Sequence, residues 1–360
     1  MKNRQSHVQL PQPNVTVVDI WDPATAVDDI EVIHQDLVQI RSGPLRARQI
    51  AVHLESAVLI YTSTNLAVHS CTKLVPGLRA VVAFGPQGLG TINGLHIHPD
   101  LMLMAARDAE CQFVVDPGYE SVTIFLPPKN FEAYLVNRQL EDPLQPGCPV
   151  DLFVCDVTKA REFFSFGKRL AVTAARQPYL FDGRKEVCAA TEIELVEMLL
   201  EAIGSSEDYA ATRSDKTHQA YSRVIEMVKD RALAQADAPF HLTDLCRDIG
   251  VSERHLEYAF KEILSMSPVA FLRRARLHRV RQALRAGTRG TTTVSAEALK
   301  WGFWHFGDFS KAYKDCFGES PSDTLRREPD RPTTESTKPT SDKSVIPRGG
   351  NVGASRAKDR

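Results

Sequence analysis

The stretch that most constrains the fold is residues 242–259, LTDLCRDIGVSERHLEYA. Gly250 lies where one short helix must end and reverse, a position that favours a residue tolerant of positive φ. Ser252 follows as an N-cap for a second helix, and the small Cys246 lies where two crossing helices need a close approach. The apolar positions of the two helices are Leu245, Ile249, Val251 and Leu256. The pattern predicts a helix-turn-helix, which places its second helix in a DNA major groove, or else an ordinary helical hairpin.

A second stretch of the same kind covers residues 294–314, VSAEALKWGFWHFGDFSKAYK. Ala298 takes the small crossing position and Gly302 the turn, which is one residue longer than the first turn. Residues 268–286 between the two stretches have the pattern of one helix, with proline in its first turn and Gly287 after its end. At about 1.5 Å per residue this helix spans roughly 28 Å, close to the ~34 Å between successive major-groove faces on one side of B-DNA.

The two stretches together resemble the DNA-binding domain of the AraC/XylS family of transcription regulators. In the first part the resemblance is carried by Leu245-Cys246, Gly250-Val251-Ser252, Leu256, Phe260-Lys261 and Ser267-Pro268. In the second part it is carried by Ala298-Leu299, Gly302-Phe303, Phe309-Ser310, Tyr313-Lys314 and Phe317-Gly318-Glu319-Ser320-Pro321. The resemblance implies a sequence-specific regulator with two recognition helices in adjacent major grooves. The overall layout and the GFW…FGESP ending also look like the branch that includes the ethanolamine-operon regulator.

Helical geometry predicts which side chains of the first recognition helix face the DNA. Four apolar side chains point to the core, and this leaves outside Arg254, His255, Glu257, Tyr258 and Lys261. By the resemblance, Arg254, Glu257 and Tyr258 match positions that reach base edges. Arginine donates hydrogen bonds there to guanine, and glutamate accepts a hydrogen bond from the amino group of cytosine. The alternative for each exposed charge is a solvated surface residue.

On the second recognition helix, the resemblance matches Phe306, Gly307, Asp308 and Lys311 to the DNA-facing positions. We expect Phe306 to contact a thymine methyl group and Lys311 to contact phosphate, so the first helix carries more sequence information. The arginines of residues 268–286 fit a phosphate contact and a solvated helix face equally well.

The first half has the pattern of a β-rich domain. Residues 35–126 contain successive runs of Val, Ile, Leu, Thr and aromatics with turn signals between them, which predicts a sandwich or small barrel. Helices follow over residues 158–176 and 192–203, packing on the barrel or against a second subunit, and residues 204–216 have the composition of a linker. Regulators that resemble this family commonly carry a cupin-like barrel ahead of the DNA-binding domain.

These observations predict an α+β fold, with an N-terminal cupin-like β-barrel or sandwich, following helices, and a C-terminal all-α domain with two helix-turn-helix motifs. We expect an effector-sensing and dimerisation domain over residues 1–190, a helix and linker over 191–214, an AraC-type DNA-binding domain over 215–327, and a disordered tail over 328–360.

The charge distribution agrees with this division. Residues 1–214 carry 18 Lys and Arg against 26 Asp and Glu, whereas residues 215–327 carry 19 Lys and Arg against 14 Asp and Glu. Only the second part therefore has the net positive charge that favours binding of a polyanion such as DNA. No apolar run is long enough to cross a membrane, and no signal peptide precedes the domain, so we expect a cytoplasmic protein. The expected partners are double-stranded DNA, a small-molecule effector, RNA polymerase if the protein is an activator, and a second copy of the chain.

The residues that could support catalysis or metal binding form an incomplete set. His96 and His98 have the Gly-x5-His-x-His spacing of a cupin metal motif, but the Glu and later His that would complete it are missing. The first-half cysteines fit buried small apolar residues: Cys71, Cys111, Cys148, Cys155 and Cys188. We therefore expect no enzyme activity, no metal and no cofactor. The alternatives are an effector-independent dimeric regulator and a cupin-type metalloenzyme fused to a DNA-binding domain.

Overall fold

A computed structural model of the chain describes residues 13–25, 30, 32–106, 109–145, 147–235, 242–287 and 290–327. The predicted disordered tail, residues 328–360, lies outside the described residues.

The first of two antiparallel sheets contains, in spatial order, β1 (Val15–Ile20), β3 (Ala47–His53), β4 (Val58–Thr64), β11 (Glu120–Leu126), β6 (Arg79–Phe84), β9 (Leu101–Ala105), β12 (Val150–Val154) and β13 (Glu207–Asp208). The second contains β2 (Ile33–Gln39), β5 (Val68–Leu74), β10 (Glu110–Val115), β7 (Gly90–Ile92) and β8 (Leu95–His96).

The two sheets pack face to face as a β-sandwich, as the turn-punctuated strand pattern predicts. Side chains alternate between the two faces of each strand, so Leu37 and Val68 enter the core between the sheets while Val38 and His69 face outward. Sequence patterning did not find β1, because Val15–Ile20 lies in a segment with a polar, proline-containing start.

Three helices cover the outer face of the first sheet: α1 (Pro128–Arg138), α2 (Val157–Arg176) and α3 (Lys185–Ile203). Phe163 and Phe164 of α2 are buried in the core they share with the sheet. At Gly167 a Cβ atom would lie 2.6 Å from Val122 Cγ1 of β11, so glycine allows the close approach of helix and sheet. In the chain described here, these helices pack on their own sheet, which is one of the two arrangements that the sequence leaves open.

The spacing of Ile193, Val196, Leu199, Leu200 and Ile203 predicts one buried apolar stripe on α3, and this prediction is wrong at one position. Val196, Leu199, Leu200 and Ile203 are buried, but Ile193 is 59% exposed. Its neighbour Glu192 faces the core instead and is 3% exposed. The Glu192 carboxylate accepts hydrogen bonds from the Ser56 and Ala57 backbone N–H groups at 2.7 and 3.0 Å and from the Ser56 hydroxyl. This carboxylate therefore fixes the β3–β4 turn to α3, an interaction that helical periodicity does not reveal.

The predicted linker over residues 204–216 is more ordered than its composition indicates. Glu207–Asp208 forms β13 against β12, and Thr212 begins the next helix, α4 (Arg213–Ala234). Thr212 and Asp215 make a reciprocal capping box at the start of that helix. Their local hydrogen bonds explain why a small, polar segment is structured.

The remaining helices are α5 (Leu242–Ile249), α6 (Glu253–Leu264), α7 (Pro268–Ala286), α8 (Val294–Lys300), α9 (Phe306–Phe317) and α10 (Pro321–Arg326). The bounds of α7 are those that its proline and glycine signals predict. Val38 and Ile40 of the sandwich share a buried core with Ile225, Phe260 and Phe271 of the helices. The C-terminal helices therefore pack directly on the outer face of the second sheet. Among the described residues, no helix has the length and apolar character of a membrane span.

Buried polar groups complete this junction between sheet and helices. His69 Nε2 lies 2.7 Å from the Glu226 carboxylate of α4, and Lys229 Nζ lies 2.7 Å from the same group. Burial raises the pKa of Glu226, but the His69 hydrogen bond and the Lys229 charge outweigh it and lower the pKa to about 2. On α7, His278 Nε2 accepts a hydrogen bond from the Gln39 backbone N–H at 3.1 Å.

We predict that Glu192→Ala lowers the free energy of unfolding by about 3 kcal/mol, because one buried and one half-buried backbone N–H group lose their carboxylate acceptor. Urea denaturation followed by circular dichroism measures the change. Glu194→Ala is the matched control, since Glu194 is an exposed glutamate on the same helix. Equal effects of the two substitutions would contradict the role of Glu192.

We predict that His278 makes the protein less stable as the pH falls below about 6.5. Burial lowers its pKa from 6.5 to about 3, so the folded protein resists a proton that the unfolded chain accepts. This group therefore adds a slope of about 1.4 kcal/mol per pH unit below pH 6.5. Urea unfolding of the wild type and of His278→Gln between pH 6.5 and 5 should show the shallower dependence in the variant. If the free energy of unfolding falls equally steeply with pH in both proteins, His278 is not the group responsible for this pH dependence.

Candidate nucleic-acid interface

The first turn, between α5 and α6, has the geometry of a helix-turn-helix. Gly250 adopts φ +78°, in the left-handed region that favours glycine. The N–H groups of Gly250 and Val251 both donate to the Cys246 carbonyl, at 2.9 and 3.0 Å, which closes the end of α5. The Ser252 hydroxyl accepts from the His255 N–H at 3.2 Å and caps α6. Cys246 is buried at the crossing of the two helices, as its small size predicts.

The second turn, between α8 and α9, repeats this arrangement. Gly302 also adopts φ +78°, and the Phe303 N–H donates to the Ala298 carbonyl at 2.9 Å, as Val251 donates to Cys246. Helix α9 begins four residues after Gly302, whereas α6 begins three residues after Gly250, so the longer second turn is confirmed. The two turns therefore present their second helices in equivalent ways.

The first recognition helix, α6, leaves its predicted DNA-facing side chains accessible. Its core side is formed by Leu256, Ala259, Phe260 and Ile263. The exposed side contains Arg254, His255, Glu257, Tyr258 and Lys261. The Arg254 guanidinium lies 5.6 Å from the centre of the Tyr258 ring, which pre-orients a cation and an aromatic side chain on one surface. The His255 ring packs against Tyr221 of α4 at 5.3 Å, so it marks the edge of that surface.

The second recognition helix, α9, also exposes its predicted residues. Phe306 is 42% exposed, and Asp308 and Lys311 are exposed beside it. Trp304, just before the helix, is 56% exposed and was not among the predicted contacts. The sequence run WGFWHF could have indicated the exposure of Trp304, because this residue directly follows the buried Phe303. This end of the interface is thus mainly aromatic.

The arginines of α7 contact other parts of the protein, although Arg273 is also exposed. Arg279 binds Asp36 of β2 at 2.8 Å, and Arg276 and Arg281 are each 4% exposed. The remaining contacts are Arg273 to the Asp308 carbonyl, Arg274 to the Gln39 carbonyl and the Ser42 hydroxyl, and Arg285 to Asp22. Four of these arginines thus join the two halves of the chain: Arg274, Arg279, Arg281 and Arg285.

Arg281 is the centre of that junction. Its guanidinium lies 2.7 Å from Asp22 and 2.9 Å from Glu319, and 4.5 Å from the centre of the Phe317 ring. Burial opposes the charge of Arg281, but the hydrogen bond to Asp22 outweighs it and raises the pKa of the guanidinium. A buried arginine with two carboxylate partners holds α7 against both the sandwich and the last helices.

The residues that could bind a metal were located as well. His96 packs against the ring of His218 at 5.7 Å, and His98 is exposed. In the described ranges, the set of three possible ligand atoms within 4.8 Å of one another belongs to Cys71, Glu110 and Glu226. Both carboxylates already bind cationic or histidine side chains. Of the five cysteines expected to be buried, Cys148 is exposed, because it lies in the loop before β12.

A cavity of about 110 Å³ lies between the two sheets of the sandwich. Its walls include Leu37 and Ser70 of the second sheet and Gln49 and Val82 of the first. The outward neighbours of the same second-sheet strands, Asp36 and His69, contact α7 and α4. One strand pair therefore separates the cavity from the C-terminal helices.

Comparisons with known proteins agree with the geometry of the C-terminal half. Residues 245–327 match the family model described as a helix-turn-helix domain. Over 129 residues the chain is 32% identical to the probable thc operon regulatory protein of Rhodococcus erythropolis, covering 36% of this chain and 39% of that protein. Over 107 residues it is 33% identical to XylDLEGF operon transcriptional activator 3 of Pseudomonas putida, covering 30% of this chain and 31% of that protein. The chain thus spans less than half of the length of these relatives.

Two solved structures are also similar to parts of the chain. A probable AraC family transcriptional regulator from Rhodopseudomonas palustris shares 36% identity over 29% of this chain and 96% of that chain, with a TM-score of 0.27. ToxT from Vibrio cholerae shares 9% identity over 82% of this chain and 98% of that chain, with a TM-score of 0.29. The family match and the two turns identify residues 245–327 as a helix-turn-helix domain, and the sequence relatives that match this part are operon regulators.

Proposed function

We propose that this protein is a sequence-specific, DNA-binding transcription regulator. The observation that carries the proposal is the pair of equivalent turns at Gly250 and Gly302, each followed by a helix with an exposed polar or aromatic side. In this proposal, α6 and α9 enter adjacent major grooves. Arg254, Glu257 and Tyr258 contact base edges, whereas Lys311 contacts phosphate.

The β-sandwich half is, in this proposal, the sensor of a small-molecule effector. Residues 1–190 form the sensing and dimerisation domain, residues 191–214 connect it, and residues 215–327 bind DNA. The cavity between the sheets supports an effector-responsive regulator over an effector-independent one. The relatives are regulators, which supports a role other than catalysis over the metalloenzyme alternative.

The wider assignments extend this proposal. We infer that the protein is an activator of a nearby metabolic operon, contacts RNA polymerase, pairs with a second copy and works in the cytoplasm. The branch that includes the ethanolamine-operon regulator stays a prediction from the GFW…FGESP segment.

Effector and DNA are proposed to communicate through the strand pair β2–β5. Inward side chains of these strands line the cavity, while the outward Asp36 binds Arg279 and the outward His69 binds Glu226. A ligand that shifts the strands changes these contacts. The ligand then binds the two arrangements of the strands with different free energies, which is what allosteric coupling requires.

We predict different DNA-binding profiles for two substitutions that remove the same charge. Arg254→Ala should cost about 1–3 kcal/mol on a cognate duplex and relax the preference at one base pair. Lys311→Ala should weaken binding to all sequences alike and lower the slope of log K against log salt by about one unit. Fluorescence anisotropy with duplexes that carry single base-pair changes measures both profiles.

Arg247→Ala is the matched control for these variants, since Arg247 is an exposed arginine on α5 that pairs with Asp244. It removes one positive charge without touching α6 or α9, so its base preference should equal that of the wild type. If Arg254→Ala lowers affinity for every duplex equally, α6 does not contact bases. If the wild type does not distinguish duplex sequences at all, the proposed function is wrong.

A further inference from the structure

The two recognition helices have the same register but different side chains. Helices α6 and α9 are both 12 residues long, and in each helix the first three residues are exposed and the fourth is buried. The fourth residues, Leu256 and Phe309, are 0% and 1% exposed. Counting back two residues from these core positions pairs Arg254 of α6 with Gly307 of α9. Where α6 presents an arginine side chain, α9 therefore presents only backbone.

Gly307 is not required by the fold of the chain. It lies outside the positive-φ region, and among the described residues an added Cβ atom would meet nothing within 4 Å beyond its chain neighbours and its own helix backbone. Glycine is also less favourable than alanine in a helix. A glycine that neither turns the chain nor permits internal packing indicates that another molecule approaches this backbone closely.

The side chains beside Gly307 offer a base pair mainly hydrocarbon. Trp304 and Phe306 are 56% and 42% exposed. Helix α9 contains none of the Arg, Asn and Gln side chains that bind guanine or adenine with paired hydrogen bonds, and its first lysine, Lys311, lies one turn further on. The apolar feature that base pairs present in the major groove is the C5-methyl group of thymine. The start of α9 is therefore complementary to a thymine methyl group.

The charged residue of this first turn, Asp308, lies at the edge of the surface. Three residues into the helix, it takes the position that His255 has on α6. The His255 ring packs against Tyr221 of α4, at the margin of the α6 surface. By the same register, the Asp308 carboxylate is displaced from the position of Gly307.

We propose that the start of α9 recognises the C5-methyl group of thymine, with Gly307 leaving space for the methyl group and Phe306 and Trp304 forming apolar walls. The proposal rests on the proposed function, because it gives the base chemistry of the second half-site. Removal of the methyl group from water supplies the free energy, so no hydrogen bond from α9 to this base is needed. The same surface accepts 5-methylcytosine, which carries its methyl group at the same ring position.

Deoxyuridine tests the proposal, since it pairs as thymidine does and lacks only the methyl group. The probe is the tightest duplex that the full chain selects from a random pool, with each thymine replaced in turn and binding measured by fluorescence anisotropy. We expect at least one replacement to weaken binding about 4-fold, the contribution of one buried methyl group. At that position, 5-methylcytosine should bind more tightly than cytosine. Equal affinities of all thymine and deoxyuridine duplexes, or of 5-methylcytosine and cytosine, would overturn the proposal.

Gly307→Ala tests the space for the methyl group. The substitution places a methyl group of the protein where the thymine methyl group would lie, so binding to the thymine duplex should weaken. Deoxyuridine at the sensitive position should then bind more tightly than thymine, which reverses the preference of the wild type. Thermal unfolding should show no loss of stability, because the added Cβ atom has open space within the chain. A wild-type preference for thymine in folded Gly307→Ala would overturn the proposal.

Two further variants test the apolar walls. Phe306→Ala and Trp304→Ala should each remove most of the difference between the thymine and deoxyuridine duplexes. Tyr179→Ala is the matched control, since Tyr179 is an aromatic residue between α2 and α3 that is 61% exposed, and it should keep the full difference. If either folded aromatic variant of the α9 turn discriminates as the wild type does, its side chain is not a wall of the methyl site and the proposal is wrong.

Failure of this proposal and failure of the proposed function are separate results. A protein that selects duplex sequences but binds thymine and deoxyuridine equally retains the regulator assignment and loses the methyl recognition. A protein that selects no duplex sequence loses both, because the methyl group is then not read.

Discussion

Helix α7 is the element on which the C-terminal half depends. Its first half places Phe271 and Leu272 in the core of the first helix-turn-helix, and its second half places Val280 and Leu284 in the core of the second. Both motifs pack on one continuous helix of 19 residues, about 28 Å long at 1.5 Å per residue, so this helix constrains their separation. The proposed two-groove binding mode follows from this constraint.

The same helix connects the two helix-turn-helix motifs to the β-sandwich. Arg279 binds Asp36 on β2, and the buried Arg281 binds Asp22 near the start of the described chain. These contacts use charges that would otherwise be available to phosphate, so the proposed DNA contacts are those of α6 and α9. The strand pair β2–β5 has the cavity on one face and the Arg279–Asp36 ion pair on the other. A ligand in the cavity is therefore one strand away from the helix that sets the spacing of the two motifs.

The sequence predicted local features well and long-range partners poorly. The turns at Gly250 and Gly302 and the bounds of α7 follow from residues that lie within a few positions of one another, and the structure confirms them. The buried Glu192 and Arg281 have partners 136 and 259 positions away, which helical periodicity cannot identify. The exposure of the nine predicted DNA-facing residues agrees with their helix faces, but their contacts with bases and phosphate stay predictions.

Selection of bound sequences from a random duplex pool by the full chain tests the spacing claim most directly. Because α7 fixes the separation of α6 and α9, the enriched sites should contain two short blocks of preferred bases whose centres lie about 10–10.5 base pairs apart. The block contacted by α6 should be the more sharply defined, since its exposed residues include Arg254, Glu257 and Tyr258. Enriched sites with a single block, or with two blocks at variable spacing, would contradict the account, as would a pool that shows no enrichment.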